Sequence, residues 1–140
     1  MKDSSSGNLS SYILSAEPGF SLLAGSANFF FTGLLMGAVG GVLSLANVFP
    51  EHCCKLYDLG VTHQFEEGKA LQFQLMKINQ MVSGNFGVAG VKAAMDFAGL
   101  YGGPPRAPFP LDPLTTDEKQ KLQEELLASD YLKGYREGGG

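Results

Sequence analysis

Tryptophan is absent from this chain of 140 residues, and cysteine occurs twice, at the adjacent positions 53 and 54. A bond between neighbouring cysteines strains the backbone that joins them, so no disulfide framework can be drawn and a reducing compartment is expected. His52 precedes the pair, but three consecutive residues on a helix point in different directions. No further cysteine or histidine cluster completes a coordination sphere, so no metal is expected. Basic residues are also scarce: ten Lys and Arg against fourteen Asp and Glu leave a net charge of −4. They are scattered rather than gathered into a patch, which argues against nucleic acid as a partner. The opening MKDSSSGNLSS has neither an apolar run after its lysine nor an Arg-rich amphipathic face, and so reads as neither a signal nor a transit peptide.

Charge is missing altogether between Pro18 and Pro50. The stretch FFFTGLLMGAVGGVLSLANVF, residues 29–49, meets the length of about 20 residues needed to cross a bilayer. Gly33, Gly37 and Gly41 even supply the small-xxx-small spacing of packed membrane helices. Segmentation argues the other way. Gly25, Ser26 and Asn28 interrupt the beginning with turn and cap residues, and Gly40-Gly41 and Asn47 interrupt the end. No flanking Lys or Arg cluster fixes an orientation, and no Trp marks an interface. Read with its breaks, the run becomes FSLLAG, a strand; ANFFFTGLLMGAV, a helix; and GGVLSLANV, a second strand. Strands that are apolar throughout suit a parallel sheet buried on both faces, and no membrane partner is expected.

After Pro50 apolar residues recur at helical spacing. Pro50 suits the first turn of a helix through EHCCKLYDL, and Leu71, Leu75, Ile78 and Val82 form one buried face. A further helix groups Val88, Val91, Met95 and Ala98 and stops at Gly102-Gly103, with Pro104-Pro105 behind it. RAPFPLDPL, residues 106–114, reads as an extended connector because its prolines cannot continue a helix. Thr115 with Glu118 forms a capping box that opens a last helix with Leu122, Leu126 and Leu127 inward, and KGYREGGG reads as a frayed tail. The chain thus divides into strands and helices over 1–49, helices over 50–132 and a tail over 133–140. Alternation of strand and helix predicts an α/β fold with a parallel sheet. Its first strand is a stub at Met1-Lys2, which reads as the end of something larger.

KDSSSGN at 2–8, LLAGS at 22–26, MGAVGGVLSLANVFPE at 36–51 and GVAGVKAAMDFAGLYGGPPRAPF at 87–109 follow one another at the spacing of a known family. Across residues 2–132 the chain resembles the dihydrodipicolinate synthase and N-acetylneuraminate lyase family of class I Schiff-base aldolases. The resemblance is nearest to its mitochondrial 4-hydroxy-2-oxoglutarate aldolase branch. It implies the C-terminal part of a (β/α)₈ TIM barrel, from the end of strand six to strand eight, followed by a helical extension.

On this resemblance Lys2 is the lysine that forms a Schiff base with a small 2-oxo acid, and it should be partly desolvated, since only a neutral amine attacks a carbonyl. Ser4, Gly25, Ser26, Asn28, Val42, Leu43 and Ser44 are the implied substrate-binding positions, at the C-terminal strand ends where barrel enzymes keep their chemistry. Taken without the family, Gly25-Ser26 is an ordinary turn and Val42 and Leu43 are core residues. Ala27 and Asn28 stand where sialic-acid lyases carry acidic residues, which argues against a long polyhydroxylated substrate. The resemblance further implies no cofactor, a homo-oligomer (a tetramer in the full-length family) and, for the parent enzyme, a mitochondrial location; with no targeting segment visible here, the cytoplasm is the other expectation. The family's carboxylate-binding hydroxyl loop and proton-relaying tyrosine find no match here. Tyr12, Tyr57, Tyr101, Tyr131 and Tyr135 all lie outside the tyrosine motif, so this chain alone is expected to be nearly inert.

Overall fold

A computed structural model describes residues 1–5, 7–108 and 114–129. Three very short strands, β1 (Lys2–Asp3), β2 (Leu23–Ala24) and β3 (Gly40–Gly41), form a parallel sheet in the order β1-β2-β3. Its register aligns Lys2 with Leu23 and Gly40, and Asp3 with Ala24 and Gly41. Helix α1 (Leu9–Leu14) connects the first two strands and α2 (Phe30–Met36) the second two. Parallel neighbours need such a crossover, and this is the βαβ alternation read from the sequence.

The uncharged run is broken at its first group of turn residues, and then at Gly37, earlier than the Gly40-Gly41 break that its sequence suggests. A 3₁₀ turn over Ala27–Phe29 precedes α2, and Gly37, in the left-handed conformation at φ 113°, ends it. The helix expected over 27–39 is therefore only seven residues long. Among the described residues no helix is long and apolar enough to cross a membrane. The strands are also shorter than FSLLAG and GGVLSLANV. β3 ends at Gly41, and Ser44–Asn47 turns into a 3₁₀ helix in which the Asn47 amide donates to the Ser44 carbonyl oxygen at 2.9 Å. That turn drives Leu45, Val48 and Phe49 into the interior, where each is fully buried. Packing of these side chains, rather than continued pairing, decides the path.

Contacts divide the chain into two compact units, 1–77 and 78–140. The first holds the sheet, α1, α2, α3 (Pro50–Val61) and most of α4 (Phe65–Asn79). Pro50 stands in the first turn of α3, and Cys53, Leu56 and Leu59 are its buried face. Gly60 brings α3 against α2 so closely that a Cβ there would lie 2.7 Å from Leu34 Cδ1.

The second unit is helical, with a π turn at Gln80–Gly84, then α5 (Asn85–Phe97) and α6 (Thr116–Ala128). Leu71, Leu75, Ile78 and Val82 are all buried, as their spacing predicts. The face of α5 differs from its expectation. Val91 is buried but Val88 is exposed, and the buried set is Gly90, Val91, Ala93 and Ala94. Gly87, at φ 57° and ψ −140°, breaks the helical phase ahead of them. Both halves of the Thr115/Glu118 capping box are formed, and Leu122 and Leu126 are fully buried while Leu127 is half-buried. Most of the connector's prolines and the tail at 133–140 lie outside the described residues.

Candidate active site

Side chains alternate across a strand, so the register fixes which residues share a face of the sheet. Asp3, Ala24 and Gly41 form one row. Helix α2 covers that face: a Cβ on Gly33 would lie 3.6 Å from the Ala24 Cβ, and one on Gly41 2.8 Å from the Phe30 ring. Lys2, Leu23 and Gly40 form the adjacent row and therefore occupy the opposite face. One residue further on, Gly25 donates its N–H to the Asp3 carbonyl oxygen at 2.6 Å and Val42 donates to that of Ala24 at 2.8 Å. This extends the ladder and returns Ser4, Gly25 and Val42 to the face of Lys2. Ser4, Gly25 and Val42 thus follow the C-terminal ends of the three strands on the face of Lys2, which itself opens β1.

Gly25 is required there by space. A Cβ at this position would overlap Ser4 Oγ and lie 2.6 Å from the Asp3 carbonyl oxygen and 2.8 Å from Ser4 Cα. Only the bare backbone leaves room for the serine side chain to lie across it. Asp3 fastens the other side of the turn: its carboxylate accepts from the Ser5 N–H at 3.1 Å and from the Ser5 hydroxyl at 2.9 Å. Ser26 Oγ accepts the Asn28 N–H at 3.2 Å and caps the 3₁₀ turn. Asn28 and Ser44 are exposed on the turns beyond the strand ends, whereas Leu43 is buried and packs toward Gly41.

Lys2 is exposed. The desolvation that a Schiff-base amine requires is not supplied by the described residues, and Val42, half-exposed at 49%, shows the same open face from β3. An apolar cleft of about 430 Å³ lies in this unit against β3 and α3, lined by Leu23 and Gly40 of the Lys2 row and by Phe30, Leu43, Cys53 and Tyr57 among others. It includes neither Lys2 nor Ser4. Burial, with the neighbouring Cys54 adding to it, leaves the Cys53 thiol pushed up to about 11, so this sulfur is a packing group rather than a nucleophile. Burial also lowers the His52 pKa, more than Glu51 raises it, with Lys55 lowering it further.

One polar residue near this site was not evident in the sequence. Gln72, on α4, is buried; its amide donates to the Ala27 carbonyl oxygen at 2.7 Å and its side-chain oxygen accepts the Phe31 N–H at 2.8 Å. Its position beside Leu71 on the apolar side of a helix was the available signal.

The sequence model of the Dihydrodipicolinate synthetase family matches residues 2–129. A 4-hydroxy-tetrahydrodipicolinate synthase of Methanopyrus kandleri is 30% identical over 120 residues, 86% of this chain and 38% of that protein. A "Probable 4-hydroxy-2-oxoglutarate aldolase, mitochondrial" of Emericella nidulans is 28% identical over 128 residues, 91% of this chain and 40% of that protein. The solved dihydrodipicolinate synthase of Bacteroides thetaiotaomicron superposes with a TM-score of 0.78 at 30% identity, covering 91% of this chain and 45% of that one. The chain spans about two fifths of the length of these curated relatives.

Proposed function

Because the chain belongs to the dihydrodipicolinate synthetase family and is built as part of its α/β barrel, we propose that it carries the Schiff-base lysine and one wall of the substrate site of a class I 2-oxo acid aldolase. The observation that carries this reading is that Ser4, Gly25 and Val42, one residue beyond the ends of three parallel strands, lie on the face of Lys2. Barrel enzymes assemble their chemistry at that end. The Lys2 amine adds to the 2-oxo carbon and water leaves. The resulting iminium accepts the electron pair of the breaking carbon–carbon bond as an enamine. In the 4-hydroxy-2-oxoglutarate reading that bond lies between the carbons that become pyruvate and glyoxylate. Ser26, Asn28, Leu43 and Ser44 border the same end, and the bare backbone at Gly25 lets a small substrate approach.

Two further readings have their own support. Condensation of pyruvate with an aldehyde is favoured by the synthase relative, whose identity of 30% stands beside 28% for the aldolase. A non-catalytic role in association with longer subunits of the same family is favoured by the outer edges of β1 and β3, which pair with no strand among the described residues. A homo-oligomer in a mitochondrial setting completes the proposal.

The test is intact mass and peptide mapping after incubation with pyruvate and sodium borohydride. A reduced adduct concentrated at Lys2 is expected. An adduct spread evenly over the lysines, or none, overturns the role of Lys2 in this chain. Turnover is a separate matter: no glyoxylate release is expected from a chain whose lysine is exposed, and measurable release would refute that.

A further inference from the structure

We propose that Gln72 is a positioning residue that holds segment 25–31, and with it Ser26 and Asn28, at the end of β2; the proposal rests on the aldolase reading of that strand end. Its side-chain amide engages the segment at two points, the Ala27 carbonyl oxygen at 2.7 Å and the Phe31 N–H at 2.8 Å. In an uninterrupted helix these two backbone groups would be joined to each other, four residues apart. Here Phe29 departs from helical geometry, at φ −134° and ψ 20°, where the 3₁₀ turn meets α2. The Gln72 carboxamide has one donor and one acceptor facing two backbone groups of the opposite kind, so it reproduces the peptide pairing across the junction.

The rest of the α4 face is shaped to the same task. Phe65, Gly68 and Gln72 fall at i, i+3 and i+7, on one side of the helix. A Cβ on Gly68 would overlap the Phe31 ring, which therefore lies against bare backbone, and Phe65 meets the same ring at 6.3 Å between centroids. Gly68 and Phe65 seat the side chain of Phe31 while Gln72 holds the main chain on either side of the turn. Ala27 and Phe31 are almost fully buried, as is Gln72, so water cannot replace the amide at either contact. The end of β2 is thus held from outside by a helix far along the chain. From within it is held by the Ser26 cap and the Gly25 bond to Asp3.

Gln72→Leu, which fills similar space and can neither donate nor accept, is the direct test on the full chain. In the folded variant, hydrogen-exchange protection at residues 25–31 should fall by about 10-fold or more, because two buried groups lose their partners, while α1 keeps its protection. The pyruvate concentration giving half-maximal borohydride trapping at Lys2 should rise by a similar factor, with the amount trapped at saturation retained. General destabilisation would not produce that split. Should Gln72→Leu fail to fold, Gln72→Glu replaces it: the carboxylate accepts from Phe31 but repels the Ala27 carbonyl, and the protonated acid donates again. Its protection and half-saturation should then recover toward wild type as pH falls. Unchanged protection at 25–31 in either folded variant overturns the proposal, whether or not pyruvate is trapped. Absence of trapping in the wild type counts against the aldolase reading only, and exchange then decides the role of Gln72.

Discussion

The two compact units solve the same problem by different means. In the unit over 78–140, polar groups find partners close by in sequence: Glu118 and Thr115 complete each other's hydrogen bonds, and Leu122 and Leu126 are buried together one turn apart. In the unit over 1–77, the decisive contacts join distant segments: Gly25 with Ser4, Gly41 with Phe30, and Gln72 with Ala27 and Phe31. Local bonds suffice to build a helix. Long-range contacts are needed to bring separate strand ends to one face, which is what a site requires. Substitutions in the first unit should therefore alter chemistry, and those in the second stability alone.

The contrast is sharpest at Lys2. Lys2→Arg should abolish the pyruvate adduct completely, because a guanidinium does not form the reducible imine, while unfolding shifts by no more than about 0.5 kcal/mol at so exposed a position. Mass spectrometry and a denaturant titration read the two quantities. Leu126→Ala should do the reverse: a fully buried leucine lost from the second unit costs about 2–5 kcal/mol, yet labelling of Lys2 in the folded fraction stays as in wild type. A loss of labelling there would break the comparison.

Gly25→Ala lies between these extremes. The new methyl has no room beside Ser4, so about 1–3 kcal/mol of stability is lost to overpacking and labelling at Lys2 falls as well. Equal loss of both from a second-unit substitution would erase the distinction. The smallest effect belongs to the capping box. Thr115→Ala should cost about 1 kcal/mol and leave the adduct unchanged. Hydrogen bonds from the Thr115 N–H and then its hydroxyl hold the Glu118 carboxyl below its ordinary value. The folded form is thus favoured when Glu118 is ionised. That contribution is complete above the unfolded carboxyl pKa of about 4.3 and fades as pH falls through the lowered folded value. Acid titration of α6 helicity in Glu118→Gln, compared with wild type, should show this pH dependence removed.

Much of this was legible in the sequence, and what was not has a physical reason. Pro50 and the Thr115/Glu118 pair act within a few residues of themselves, and each marked a helix start that the structure contains, whereas Gly37, read as inside a helix, ends it. KDSSSGN, LLAGS and MGAVGG each hold one of the three parallel strands, in the order in which they pair. Strand lengths were not legible, because apolar residues after Gly41 serve a buried turn as readily as a buried strand. The face of α5 was obscured by Gly87, whose backbone conformation shifts the helical phase without any change in the apolar pattern. Gln72 was hidden for a different reason: its partners are main-chain atoms, which leave no residue type to recognise.

The overlap that would arise between a side chain at 25 and Ser4 also bears on redesign. Position 25 is closed by main-chain atoms as well: a Cβ there would lie 2.6 Å from the Asp3 carbonyl oxygen and 2.8 Å from Ser4 Cα, so shrinking Ser4 does not free it. A library that diversifies position 25 while holding Ser4 fixed will mostly sample clashes, and one that varies position 4 alone explores only what a bare backbone can sit beneath. New specificity at this strand end has to be sought at position 4 and its neighbours, with glycine kept at 25.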